Sequence, residues 1–275
     1  MSSAGQPGCI RGSAKPHSSR LAEWRRPRGA AVARRLAPYG VGDLLVQIGL
    51  WVAFGLAYEA VRGAAGHDRV RALADGREII ELERRLHAFF EAGLQRGLPV
   101  GSTVVRVLAF SYWSSEFALL VLALAYAYFR RRDVYGPFRD TVLLANSLGL
   151  IGYVVFPAAP PRVFAGDGFR NALSGQPSPL HATGLIGYAA NPYAAMPSLH
   201  VADAILIGIF LAALSRPRAA KVAWLLWPCW LSYVVLATGN HFWLDVAAGA
   251  AVSGLSLLAV SKLRRWRLIR LWPPE

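Results

Sequence analysis

Two junctions in this sequence place a histidine where a turn-rich loop becomes an apolar run: NPYAAMPSLHVADA, residues 191–204, and ATGNHFWLDVAAGA, residues 237–250. In the second, His241 and Asp245 are four residues apart, so at a helix start they share one face, one turn from each other. A carboxylate there can accept the proton of one ring nitrogen. That fixes the tautomer and raises the basicity of the other nitrogen, as a nucleophilic histidine requires. Gly239 permits a tight entry, and the helix N-terminus favours an anion such as phosphate. The same pair also reads as a histidine satisfied by Asp245 merely to stitch two helices.

In the first junction Pro197 ends the loop and Ser198 is placed to cap a helix beginning near Leu199. The amide groups there, with the Ser198 hydroxyl, form a second phosphate seat. His200 falls in the first turn, where a protonated imidazole can donate to a leaving oxygen. The plainer reading is an ordinary cap followed by an incidental histidine. A third stretch, FPAAPPRV at 156–163, uses two consecutive prolines to stiffen the chain and end an apolar segment, which fixes the direction of Arg162. Its planar guanidinium either anchors to lipid headgroups or clamps a phosphate.

What positions these residues is a chain rich in apolar segments. Of 275 residues 55% are apolar, above the 45–50% usual for a soluble globule. Aromatics of the kind enriched at membrane interfaces are plentiful. The net charge of +14 raises the question of nucleic acid, but the arginines flank apolar runs and no recognition module is present. Cys9 and Cys229 lie in unlike settings with no C-x-x-C, which argues against a disulfide framework or a zinc site.

The expected fold is all-α, a polytopic membrane protein with six transmembrane helices near 42–61, 103–129, 140–157, 199–215, 221–238 and 242–261. Asp43 and Glu59 leave the first a short apolar core, Leu44 to Tyr58. A forty-residue arginine-rich leader is nevertheless too long for a signal-peptide n-region, so it is read as a span. Residues 1–40 form a basic cytoplasmic tail expected to be disordered. Residues 41–262 form the six-helix membrane domain, and 263–275 a second basic tail.

Between spans 1 and 2, Asp75 with Glu78 resembles a capping box. Ile79, Leu82, Leu86, Phe89, Phe90 and Leu94 then recur at helical spacing. This predicts a surface helix, lying along the membrane or packed on loops. With the N-terminus inside, twenty of the thirty Lys and Arg residues fall in cytoplasmic segments. The positive-inside bias therefore puts both termini in the cytoplasm and both histidine junctions on the extracytoplasmic side.

Two histidines, an aspartate, a serine and an arginine thus converge on one membrane face, each at a helix end. Together they supply a nucleophile, an orienting acid, a proton donor and charge clamps, the equipment for phosphoryl transfer through a phosphohistidine. These motifs, over residues 42–262, resemble the type-2 phosphatidic acid phosphatase superfamily, with its PSxH and HxxxD signatures. Through FPAAPPR, NPYAAMPSLHV and ATGNHFWLDVAAG the chain resembles the inositolphosphorylceramide-synthase-like branch.

The resemblance implies that His241 attacks phosphorus, Asp245 orients it and His200 protonates the departing alcohol. It implies that Arg162 and Ser198 hold the phosphoryl oxygens, with no cofactor and no metal. The substrate it implies is a lipid phosphate or phosphodiester in the bilayer, with transfer of a phosphoinositol-type headgroup or simple hydrolysis to follow. The chain departs from the pattern in three places. The lysine-to-arginine-proline motif of the broader phosphatases is absent, with FPAAPPR in its place. No arginine shortly precedes His241, where Thr238 and Asn240 are the nearest polar groups. Glu116 stands where close relatives carry a histidine. Asp203, one turn below Ser198, is an unusual residue inside a span.

Three other readings use the same residues. A vanadate haloperoxidase would use the same pocket, but those proteins are soluble. A metal site built from His200, His241 and Asp245 would repel Arg162. A transporter or scaffold would hold the histidines as buried hydrogen-bonding partners.

Overall fold

The structure is a computed structural model that describes residues 38–65, 68–99, 101–173 and 193–271. The chain divides into two compact units, 1–52 and 53–275. In the first, the described residues form a turn and the start of a helix. The site lies wholly within the second.

Among the described residues every regular element is helical. The α-helices are α1 (Val41–Ala65), α2 (Arg69–Arg85), α3 (Glu91–Arg96), α4 (Thr103–Trp113), α5 (Leu120–Arg130), α6 (Arg132–Val155), α7 (Leu199–Leu214), α8 (Arg218–Ala237) and α9 (Trp243–Leu271). Four stretches are long and apolar enough to cross a bilayer: Val41–Ala64, α6, α8 and Trp243–Arg265. The other two expected spans come out shorter. Residues 103–129 divide into α4, a π-helical turn at Ser114–Leu119 and α5, and α7 has 16 residues. The basic stretch from 263 continues α9 as far as Leu271. The expected disordered tail lies outside the described residues up to residue 37.

The sequence of α7, LHVADAILIGIFLAAL, is apolar nearly all round, and its first half is mostly buried while Ile209 is exposed. It packs against α6, α8 and α9. Its one buried carboxylate, Asp203, accepts a hydrogen bond from Asn146 Nδ2 of α6 at 3.0 Å, a polar stitch between two apolar helices. The head of α7 meets α9 at Gly249, where an added Cβ would collide with the Ser198 carbonyl. Gly249→Val should therefore cost roughly 1–3 kcal/mol of overpacking. The check is a lowered melting temperature in detergent, with a larger loss of activity than α9 substitutions facing lipid.

The segment between α1 and α4 departs from its apolar periodicity. Its helix begins at Arg69 rather than near Asp75, because Asp68 caps it by accepting the Arg71 N–H at 2.9 Å. Asp75 lies inside the helix. The helix stops at Arg85, the chain turns through His87 at φ 55°, and helix resumes at Glu91. The inner face is Ala72, Gly76, Ile79, Ile80 and Glu83, while Leu82, Leu86 and Phe90 are exposed. Small residues decide this face. Ala72 and Gly76 let the 158–169 loop approach, with Ala159 N–H donating to the Ala72 carbonyl at 2.8 Å and Phe164 packed against the same core. Arg77 and Arg84 then clamp Asp167 of that loop at 2.6 and 2.7 Å.

Candidate active site

The three motif loops are laced together by backbone hydrogen bonds. Ala195 N–H donates to the Ala158 carbonyl at 3.3 Å, Arg162 N–H to Gly239 at 2.9 Å, and Ser198 N–H to Asp245 at 2.9 Å. Buried loop amides need partners, and here each loop satisfies another. The α6 helix ends at Val155, ahead of Pro157 and well ahead of Pro160–Pro161. The proline pair therefore shapes the loop carrying Arg162 rather than ending the helix. Gly239 turns at φ +71°, and Gln95 with the Arg170 carbonyl leaves no room there for a side chain.

His241 is almost wholly buried. Its Nδ1 lies 2.9 Å from the Ala195 carbonyl and 3.3 Å from Asp245 Oδ2. Both neighbours can only accept, so Nδ1 carries the hydrogen and Nε2 keeps its lone pair. Asp245 Oδ2 is itself fixed by the Phe242 N–H at 2.8 Å. Burial pushes His241 below the ordinary histidine value of 6.5; Asp245 works in the opposite direction, and His200 and Arg162 add to the depression. The imidazole is therefore neutral at neutral pH, the form a nucleophile needs.

The rings of His200 and His241 are 5.6 Å apart, edge to face. On its other side His200 stacks on Tyr112 of α4, centroids 4.2 Å apart. Arg162 donates from Nη1 to Asn240 Oδ1 at 2.6 Å, and Asn240 in turn donates to Thr238 Oγ1 at 2.7 Å. The partner of Arg162 there is a neutral amide oxygen and not a carboxylate. Enclosure lowers its pKa, the situation of a cation placed to meet an anion. Ser198 sits at the N-cap of α7, but its side chain makes no capping bond. Its hydroxyl is fully buried without a hydrogen-bond partner among the described residues. The first bond of α7 runs from Ala202 N–H to the Ser198 carbonyl. The amides of Leu199, His200 and Val201 precede that bond and face the helix end.

All five expected site residues thus meet in one place, with one correction. The N-terminus of α9 is not a phosphate seat. Its amides are already taken: Phe242 by Asp245, Trp243 by Glu91 at 2.9 Å and Leu244 by Glu83 at 3.3 Å. Three carboxyl groups cap this helix, and an anion there would compete with them. Phosphate can be held from the other side, by Arg162, Ser198 and the head of α7. Among the described residues no three His, Cys, Asp or Glu side chains are arranged to hold a metal ion. The Glu116 side chain lies outside the described residues, although its backbone falls in the π-helical turn.

Sequence reasoning missed the Ala195 carbonyl, Tyr112, Glu83 and Glu91. A backbone acceptor leaves no signature in residue types. Tyr112 stands one residue from the end of α4, just ahead of the π-helical turn, a feature that often accompanies functional sites.

Because the Ala195 carbonyl also accepts from Nδ1, Asp245→Asn should not free the ring completely. Loss of an orienting or proton-handling group costs roughly 10²–10⁴ in rate, and this variant should fall near the low end, about 10² in kcat. Steady-state kinetics at constant KM checks it.

A helical membrane protein with paired histidines and a buried arginine near the ends of its helices is the class these features define. The chain belongs to the PAP2 superfamily, whose family model matches residues 77–259. No curated protein and no solved structure matches the chain. Membership points to a phosphatase-type lipid enzyme.

Proposed function

We propose that the protein transfers a phosphoryl group from a lipid phosphate or phosphodiester through a phosphohistidine at His241. The observation that carries this reading is the tautomer. Nδ1 is flanked only by acceptors, so Nε2 offers a lone pair, with the His200 ring 5.6 Å from its own and Arg162 near enough to act on its charge. The Nε2 of His241 forms a bond to phosphorus as the phosphorus–oxygen bond to the alcohol breaks. The His200 imidazolium gives its proton to that oxygen, while Arg162 and Ser198 hold the non-bridging oxygens. An incoming hydroxyl then loses its proton to His200, attacks phosphorus and releases His241. Water as acceptor makes the protein a lipid phosphatase. A lipid or sugar hydroxyl makes it a transferase of a phosphoinositol-type headgroup, the outcome favoured by the likeness of its three motifs to the inositolphosphorylceramide-synthase branch.

In this reading α4 to α5 and α7 supply the other two of six spans. The termini are cytoplasmic and the site faces the extracytoplasmic leaflet, a reading supported by the distribution of Lys and Arg. Leu82, Leu86 and Phe90, exposed on α2 and the turn beyond it, are the side chains that would rest in that leaflet. The test incubates the purified protein with labelled phosphatidate, prenyl phosphate and phosphatidylinositol with ceramide, in the presence of a chelator. Free phosphate or a new phosphodiester is the expected product. Absence of any product from all three would favour a transporter or scaffold.

A further inference from the structure

We propose that Glu83 of α2 and Glu91 of α3 act as one positioning unit for His241, a pair of carboxyl groups that shares a single proton and holds the first turn of α9 in place. The inference rests on the reading of His241 as nucleophile.

Both side chains are wholly buried. Glu91 Oε1 accepts the Trp243 N–H at 2.9 Å and its Oε2 the Phe90 N–H at 3.0 Å. Glu83 Oε1 accepts the Leu244 N–H at 3.3 Å, while its Oε2 meets no donor among the described residues. The two carboxyls cap successive amides of one turn, Trp243 and Leu244, and so lie close enough for each to act on the other's charge. Two ionised carboxylates buried side by side would repel each other, and a single proton shared between them relieves this. Glu91 receives two backbone donors, which favour its charged form. Glu83 receives one, longer, and has an oxygen left over. The proton therefore resides on Glu83 Oε2, which donates to Glu91 and satisfies the orphaned atom.

Electrostatics agree with this assignment. Burial, then the charge of Glu91 and more weakly that of Asp245, push Glu83 up to about 9. Burial raises Glu91 too, and the Trp243 amide opposes it. The charged groups facing the pair are Asp245 of α9 and, beyond it, His241, which itself feels His200 and Arg162. A single negative charge at the head of α9 suits the helix dipole. A second beside Asp245 would repel both. Trp243 and Leu244 are the two residues before Asp245, so pinning their amides fixes the turn that carries Asp245 Oδ2 to His241.

The test compares Glu83→Ala, Glu83→Gln and Glu91→Gln at neutral pH. Glu83→Ala should lower kcat at least tenfold with KM little changed. Glu83→Gln, which keeps a neutral donor, should restore most of that loss. Glu91→Gln, which replaces an acceptor of three bonds by a half-donor, should lower kcat at least tenfold. Should Glu83→Ala fail to fold, the two glutamine variants still decide the matter, since equal losses in both would overturn the shared proton.

Melting temperature against pH gives an independent reading. A carboxyl whose pKa folding raises binds more protons folded than unfolded, so the wild type loses stability as pH climbs from about 4.5 to about 9. Glu83→Gln lacks this dependence, and its advantage over wild type should widen across that window. A constant difference would overturn the proposal. Wild-type protein inactive on every lipid phosphate would instead defeat the His241 reading, with the melting comparison still reporting on the pair.

Discussion

His241→Ala should reduce turnover to background and leave no covalent phosphoenzyme. The reason is geometric as well as chemical. The site offers one neutral imidazole whose outward nitrogen is forced to carry a lone pair, because Ala195 and Asp245 occupy the other. Its lowered pKa keeps that lone pair free at neutral pH. No other described side chain at the site combines these properties: Ser198 lacks an adjacent base bonded to its hydroxyl, and Arg162 stays protonated. A direct attack by water, with His241 as a mere base, would leave measurable residual rate in the alanine variant. Product release measured over hours, with the variant's melting temperature matched to wild type, separates the two.

His200→Ala should slow the reaction by roughly 10²–10⁴, the usual worth of a general acid. The loss should depend on the departing group. An alkoxide leaving from a lipid alcohol needs the proton, whereas an aryl oxide leaves almost unaided. The variant should therefore be severely impaired with phosphatidate and only mildly so with an aryl phosphate. Equal impairment with both would mean that His200 binds or stacks, through Tyr112 at 4.2 Å, rather than donating a proton.

The parts of this architecture legible in sequence were those written in residue type and spacing. His241 and Asp245 at i, i+4, His200 after a Pro-Ser cap, and Arg162 after paired prolines all meet in the structure. The helical character and the apolar spans α6, α8 and α9 were likewise plain in the hydropathy, while α1 was read as a span on a short apolar core. The rest was hidden for physical reasons. Glu83 looks like part of a solvated helix face, because charge ordinarily marks exposure; only its spacing from Ala72, Gly76 and Ile79 shows that it faces inward. Phosphate was expected at the head of α9 on a general rule, and the rule fails because distant carboxylates reach those amides first. The Asp75 capping box lost to Asp68, six residues into a helix that had already begun.

The central claim is that His241 becomes covalently bonded to phosphorus. Its most direct test is an alkaline quench of the protein during turnover on a labelled lipid phosphate, followed by proteolysis and mass mapping of the adduct, since phosphohistidine survives base better than acid. The account predicts a phosphoryl or phosphoryl-headgroup mass on His241 alone, formed and consumed at the rate of turnover. An adduct on another residue, or inversion of configuration at phosphorus with no adduct at all, would contradict it.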